Sequence, residues 1–213
     1  MVFHHYPLYL NFVKIGSLWI FLIYFLTSTV SVAHQPHEGS VYGTVGPFAY
    51  QTHAIYSKNT DYDPFLLGLA VFGEADLNEH GGVEIGLFYT FKTYQRVWDN
   101  SFVSARVHKF DVPAGYRHWF TPAFSAALSL SSLFTIGDTQ VQYNGLKSGN
   151  QGTLANAIID YAINVSLQWE AWSRGAFTVL LDGRYDFSIS TNVGEDANQY
   201  GLLVGLKYLI QEK

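Results

Sequence analysis

The chain has 213 residues, of which 48% are hydrophobic, 17% aromatic and only 14% charged, with a formal net charge of −5. That charge content is well below the roughly 25% of soluble domains, while 16 Phe, 15 Tyr and 19 Gly exclude a disordered chain. No run of Lys or Arg is present, so no nucleic-acid partner is expected, and the lack of Cys excludes disulfides, thiolate metal sites and a Cys nucleophile.

Taken in chain order, residues 1–33 stand apart. They hold no Asp or Glu and one Lys (Lys14), then the apolar run Ile15–Leu26 and the small-residue ending Ser31-Val32-Ala33. A basic residue, a short apolar core and an A-x-A-like end describe a secretory signal peptide. The run is shorter than the ~20 residues of a spanning helix. The expectation is a cleaved signal peptide at 1–33 and one domain at 34–213.

Beyond Ala33 no stretch is apolar enough for a membrane helix, and what recurs is alternation with a period of two, the mark of a strand. Val83–Phe91 sets Val83, Ile85, Leu87, Tyr89 and Phe91 against Glu84, Gly86, Phe88 and Thr90. Ala157–Trp169, Phe177–Ile189 and Tyr200–Ile210 repeat the pattern. Weaker alternation marks Val41–Tyr56, Pro64–Glu74, Phe102–Arg117 and Ala123–Phe134. In Phe102–Arg117 the apolar phase changes between Val107 and Phe110, which predicts a bulge there. Eight strands result. Strands 4–5 and 6–7 join through tight turns, and the connection Ala75–Gly82 is longer. Thr135–Asn156 and Ser190–Gln199 read as long loops at the opposite end.

A soluble barrel alternates too, with its apolar face inward, so a lipocalin-like binder is the alternative fold. Strand runs of 11–13 residues instead match tilted membrane strands. Aromatic residues gather at both strand ends of the apolar face, with Trp119, Phe120, Trp169, Trp172, Phe177 and Tyr208 near the short turns. Tyr89, Phe91, Tyr161, Tyr185, Phe187 and Tyr200 lie near the loops. Two such rings are the girdles of a membrane barrel. The reading is all-β, an eight-stranded antiparallel up-and-down transmembrane β-barrel.

The C-terminal segment Gly205-Leu206-Lys207-Tyr208-Leu209-Ile210 resembles the assembly signal of small outer-membrane barrels of Gram-negative bacteria, the OmpA and OmpX type. Gly205, Tyr208 and Ile210 occupy its positions. The chain departs from that pattern in ending Gln211-Glu212-Lys213 and in carrying Leu203 where a polar residue is usual. The resemblance implies residence in the outer membrane, periplasmic termini and external loops. The partners it implies are membrane lipids, lipopolysaccharide and the barrel-assembly machinery.

The charges on the polar face are Glu84, Lys92, Arg106, Arg117, Asp160, Glu170, Asp182, Arg184, Asp186 and Lys207. They are expected to form two layers of ion pairs filling a narrow lumen, with Asp182, Arg184 and Asp186 grouped along one strand. No catalytic constellation emerges. The His-x-Ser pair of the lipid A deacylase and the Asp-Ser of the palmitoyltransferase are both absent. Asp61-Tyr62-Asp63 matches only half of the omptin protease set and reads as a loop end. His34 and His37 read as a flexible tail, and Glu195 and Asp196 as solvated loop carboxylates. No metal or cofactor is expected. The function expected is a structural or surface-interaction role through the loops. The alternatives are a narrow pore or conduit for small or hydrophobic solutes and, behind it, a lipid-modifying enzyme.

Overall fold

Strict alternation commits every strand to two faces, and eight such strands can satisfy all their backbone groups only by closing on themselves. The computed structural model describes residues 36–54, 65–98, 101–145, 159–189 and 197–212. The expected signal peptide, His34, Asp61, Asp63, Glu195 and Asp196 lie outside the described residues. The strands are β1 (Val41–Ala54), β2 (Leu66–Asn78), β3 (Gly81–Trp98), β4 (Ser101–Thr121), β5 (Phe124–Asn144), β6 (Ile159–Arg174), β7 (Phe177–Ser188) and β8 (Ala197–Gln211). Each pairs antiparallel with its sequence neighbours, and β8 pairs with β1 to close the barrel.

The registers set the stagger. A hydrogen-bonded row starts at Tyr42 and passes through Glu74, Glu84, Gly115, Ser129, Asn164, Asp186 and Gln199. It returns to β1 at Thr52, ten residues above its start. Such a stagger tilts the strands by about 40° and leaves an interior just wide enough for side chains.

Outside, large apolar residues meet no protein. Leu167 is 66% exposed and Leu128 62%, with Ile85, Leu130 and Leu202 also exposed. Inside, Glu84, Arg117, Asp182 and Lys207 are buried. This inversion is stable only where the exterior solvent is lipid.

The structure corrects several sequence expectations. The β2–β3 connection is tight, because β2 runs to Asn78, whose Oδ1 accepts the His80 N–H at 2.8 Å. Thr121 does the same for the β4–β5 turn, accepting from Phe124 N–H at 3.0 Å, and Gly175 turns β6 into β7 with φ of 59°. Thr135–Asn144 is strand rather than loop. With β3 and β4 it continues the sheet toward the loop end, past the β2–β3 pairing, which stops at Leu69–Tyr89. Similarly, Ala197–Gln199 belongs to β8. Trp119 points into the lumen and not into a girdle.

The bulge expected in β4 lies in β5. Arg106 and His108, two apart, pair with Gln140 and Ile136, four apart, and Gly137 has φ of 70° there. On β4 the inward row runs unbroken through Ala105, Val107, Lys109 and Asp111. The apolar phase flips because the surroundings flip. Phe110 faces outward, while Val107 is buried against Tyr94, Ala105 and Ala197 above the apolar belt.

The β1–β8 ladder skips Gly46 and Pro47 opposite Val204 and Gly205, where Pro47 has no N–H to donate. A Cβ on Gly46 would lie 2.1 Å from the Val204 carbonyl oxygen, whereas on Gly73 its nearest neighbour is 3.7 Å away. Gly46→Val is therefore expected to prevent or weaken closure, lowering stability by about 1–3 kcal/mol. Gly73→Ala is expected to stay within about 0.5 kcal/mol of the parent. Urea unfolding of both variants refolded into vesicles checks this.

Candidate functional site

Inward positions recur at every second residue of each strand, so a charge on this face has no water to turn to and must find its partner across the lumen. The charges sort into two groups along the axis. At the short-turn end Lys207, from β8, bonds Glu74 of β2 and Glu170 of β6, the latter at 3.0 Å. Its ammonium also lies 4.9 Å from the ring centroid of Trp119 and 4.4 Å from that of Tyr42.

Arg117, from β4, is the hub. Its Nη2 lies 2.6 Å from Glu84 Oε2 and 3.2 Å from Asp182 Oδ2, and its Nε 3.3 Å from Glu74 Oε1. It also donates to Ser125 Oγ at 2.8 Å and Ser166 Oγ at 3.1 Å. Arg184, from β7, completes the group at 3.0 Å from Asp182 and 3.3 Å from Glu84. Ser129 donates to the second Glu84 oxygen at 2.8 Å. Six strands thus meet in one chain of charges running from Glu170 to Arg184.

Above this chain the lumen turns apolar. Phe48, Phe72, Phe88, Leu180 and Leu203 pack together, with the Phe48 and Phe88 rings 5.2 Å apart. The Arg184 guanidinium lies 4.8 Å from the Phe88 centroid and 5.1 Å from that of Phe72, so one side chain joins the ionic chain to the ring cluster. Tyr50, at its upper edge, accepts the Phe91 N–H at 2.6 Å just past the end of the β2–β3 pairing.

The second group is nearer the loop end. Lys92 donates to Asp160 at 2.9 Å, Tyr94 donates to the same oxygen at 2.8 Å, and Lys109 donates to Thr135 Oγ1 at 2.7 Å.

Nine of the ten charges singled out from the sequence are buried in the lumen. Arg106 is not among them. It is half-buried, lies on the outward row of β4 and reaches Thr93 Oγ1 at 3.4 Å. Asp186 does not join Asp182 and Arg184, but accepts from Asn164 Nδ2 at 2.6 Å.

Sequence reasoning missed Glu74, Asp76, Lys109 and Asp111. Glu74 was hidden at a strand end whose inward neighbour is Phe72, and a count from the outward set Leu67, Leu69 and Val71 finds it. Lys109 and Asp111 were lost to the assumed bulge in β4. Of the assembly-signal positions, Gly205 faces the lumen while Tyr208 and Ile210 face outward. Among the described residues no three His, Asp or Glu side chains converge as a metal site.

No protein-family model matches the sequence, and no curated protein matches it in sequence. Solved structures share its architecture. The outer membrane protein OprG from Pseudomonas aeruginosa aligns with a TM-score of 0.53 at 10% identity, over 84% of this chain and 100% of its own. The fold is that of the small outer-membrane β-barrels. The attachment invasion locus protein Ail of Yersinia pestis, solved in complex with the heparin analogue sucrose octasulfate, aligns at 14% identity and a TM-score of 0.48. That match covers 80% of this chain and 99% of Ail. At these identities the likeness is one of fold.

In this barrel, removing Arg117 takes one of two cations from each of three buried carboxylates, leaving Glu74 to Lys207 and Glu84 and Asp182 to Arg184. Arg117→Ala is expected to cost about 3–5 kcal/mol, as for other broken buried pairs. Arg106→Ala is expected to change stability by less than about 0.5 kcal/mol. The two variants are compared by urea unfolding in vesicles, and equal costs would refute the hub assignment.

Proposed function

We propose that the protein is an integral outer-membrane barrel whose role is surface contact, with both termini at the periplasmic end and β3–β5 extending outward. The reading rests on one observation, the chain of charges and rings that crosses the lumen from Glu170 through Arg117 and Arg184 to Phe88. A lumen filled in this way offers no conduit for solute, which disfavours the pore. The loop-end extension offers surface instead. Val141 and Tyr143 are exposed on it, and Tyr143 stacks on Phe102 with centroids 4.5 Å apart. The role is contact and not catalysis. Lipid tails and lipopolysaccharide are the partners of the apolar belt, and the barrel-assembly machinery reads Gly205, Tyr208 and Ile210.

Two measurements test this. The refolded mature chain is expected to give no discrete conductance steps in a planar bilayer. Cells displaying the full chain are expected to be retained on a protein-coated surface better than cells displaying a chain with the β3–β5 extension cut back. Stable conductance steps with equal retention would move the role to transport.

A further inference from the structure

Between the Arg184 group and the Lys92–Asp160 pair, the lumen holds a belt of oxygen atoms that no protein cation engages. The registers place its members at one height. Asp186 shares the hydrogen-bonded row of Gly115, three strands away, and the barrel's stagger over three strands amounts to roughly four residues. Asp111 lies four residues beyond Gly115 along β4. The two carboxylates therefore face one another across the lumen, near enough to act on each other electrostatically.

Both are buried, and neither forms an ion pair among the described residues. Oδ1 of Asp111 has no hydrogen-bond partner. Around this level Thr90 Oγ1 and Gln199 Oε1 are likewise buried without partners, and the Ser131 hydroxyl lies beside the Asp111 carboxylate. Lys92 and Arg184 lie within electrostatic reach, but Lys92 is bonded to Asp160 and Arg184 to Glu84 and Asp182. Among the described residues the buried lumen charges are acidic at Glu74, Asp76, Glu84, Asp111, Asp160, Glu170, Asp182 and Asp186. They are basic at Lys92, Lys109, Arg117, Arg184 and Lys207. The excess is three negative charges.

Buried carboxylates without a counter-charge are costly, and unpartnered buried oxygens call for a ligand. We propose that this belt binds one hard divalent cation. Asp111 and Asp186 supply its charge balance, and Thr90, Ser131, Gln199 and water complete its coordination. The unpartnered atoms of the belt at Asp111, Thr90 and Gln199 are oxygens, and Ca²⁺ accepts six to eight oxygens in irregular geometry, carboxylate, hydroxyl, amide and water among them. Phe48 and Phe88 pack on its short-turn side.

Calorimetric titration of the refolded full-length barrel in calcium-free micelles with CaCl₂ tests this, with KCl at matched ionic strength as the control. The expected result is one Ca²⁺ per barrel and a raised unfolding temperature that KCl does not reproduce. Asp111→Asn with Asp186→Asn keeps the side-chain shapes and is expected to abolish both effects. Asp138→Asn, on an exposed carboxylate, is expected to keep them. Heat-modifiable gel migration verifies folding. Should the double variant not fold, Asp111→Asn alone is expected to weaken binding at least tenfold. Absence of binding to the folded parent, or unchanged binding in the Asn variants, would overturn the proposal.

Discussion

Everything in this molecule depends on the pairing of Arg117 with carboxylates from three other strands. A guanidinium in a narrow, water-poor lumen cannot be left alone, and Glu74, Glu84 and Asp182 reach it only if β2, β3, β4 and β7 hold their registers. A slip of one residue on any of them would turn the carboxylate outward into lipid. The ionic chain therefore acts as a register lock. The hydrophobic effect plays little part in that choice, because the exterior leucines face a solvent as apolar as themselves.

The lumen is zoned. Charges near the short turns give way to the Phe48, Phe72 and Phe88 cluster and then to charges again. Arg184 belongs to two zones at once, paired below and held against two ring faces above. Rings fill volume that the side-chain ion pairs leave open. Beyond the belt the rule reverses. Val107 turns in and Arg106 turns out once water replaces lipid around the sheet.

Much of this was legible in the residues. The eight strands, their inward faces and nine lumen charges follow from period-two alternation, because a closed antiparallel sheet carries no other repeat. Strand ends were harder. The extension of β5 to Asn144 carries weak alternation, and Gly137 at φ of 70° interrupts it. Arg106, Lys109 and Asp111 went astray for one reason. Their apolar neighbours change face where the solvent changes, and a sequence read as if one solvent surrounded it converts that change into a bulge.

The sequence by itself determined the class of structure: strands with one apolar face and a charge-bearing opposite face. Only the tertiary structure decided which charges meet. Partners such as Lys207 and Glu74, or Arg184 and Glu84, lie at least a hundred residues apart. Their meeting follows from the ten-residue stagger on closing β8 against β1, a quantity that no single strand contains. The same stagger brings Asp111 level with Asp186. Two carboxylates that look like ordinary lumen charges on their own strands thereby share one gap.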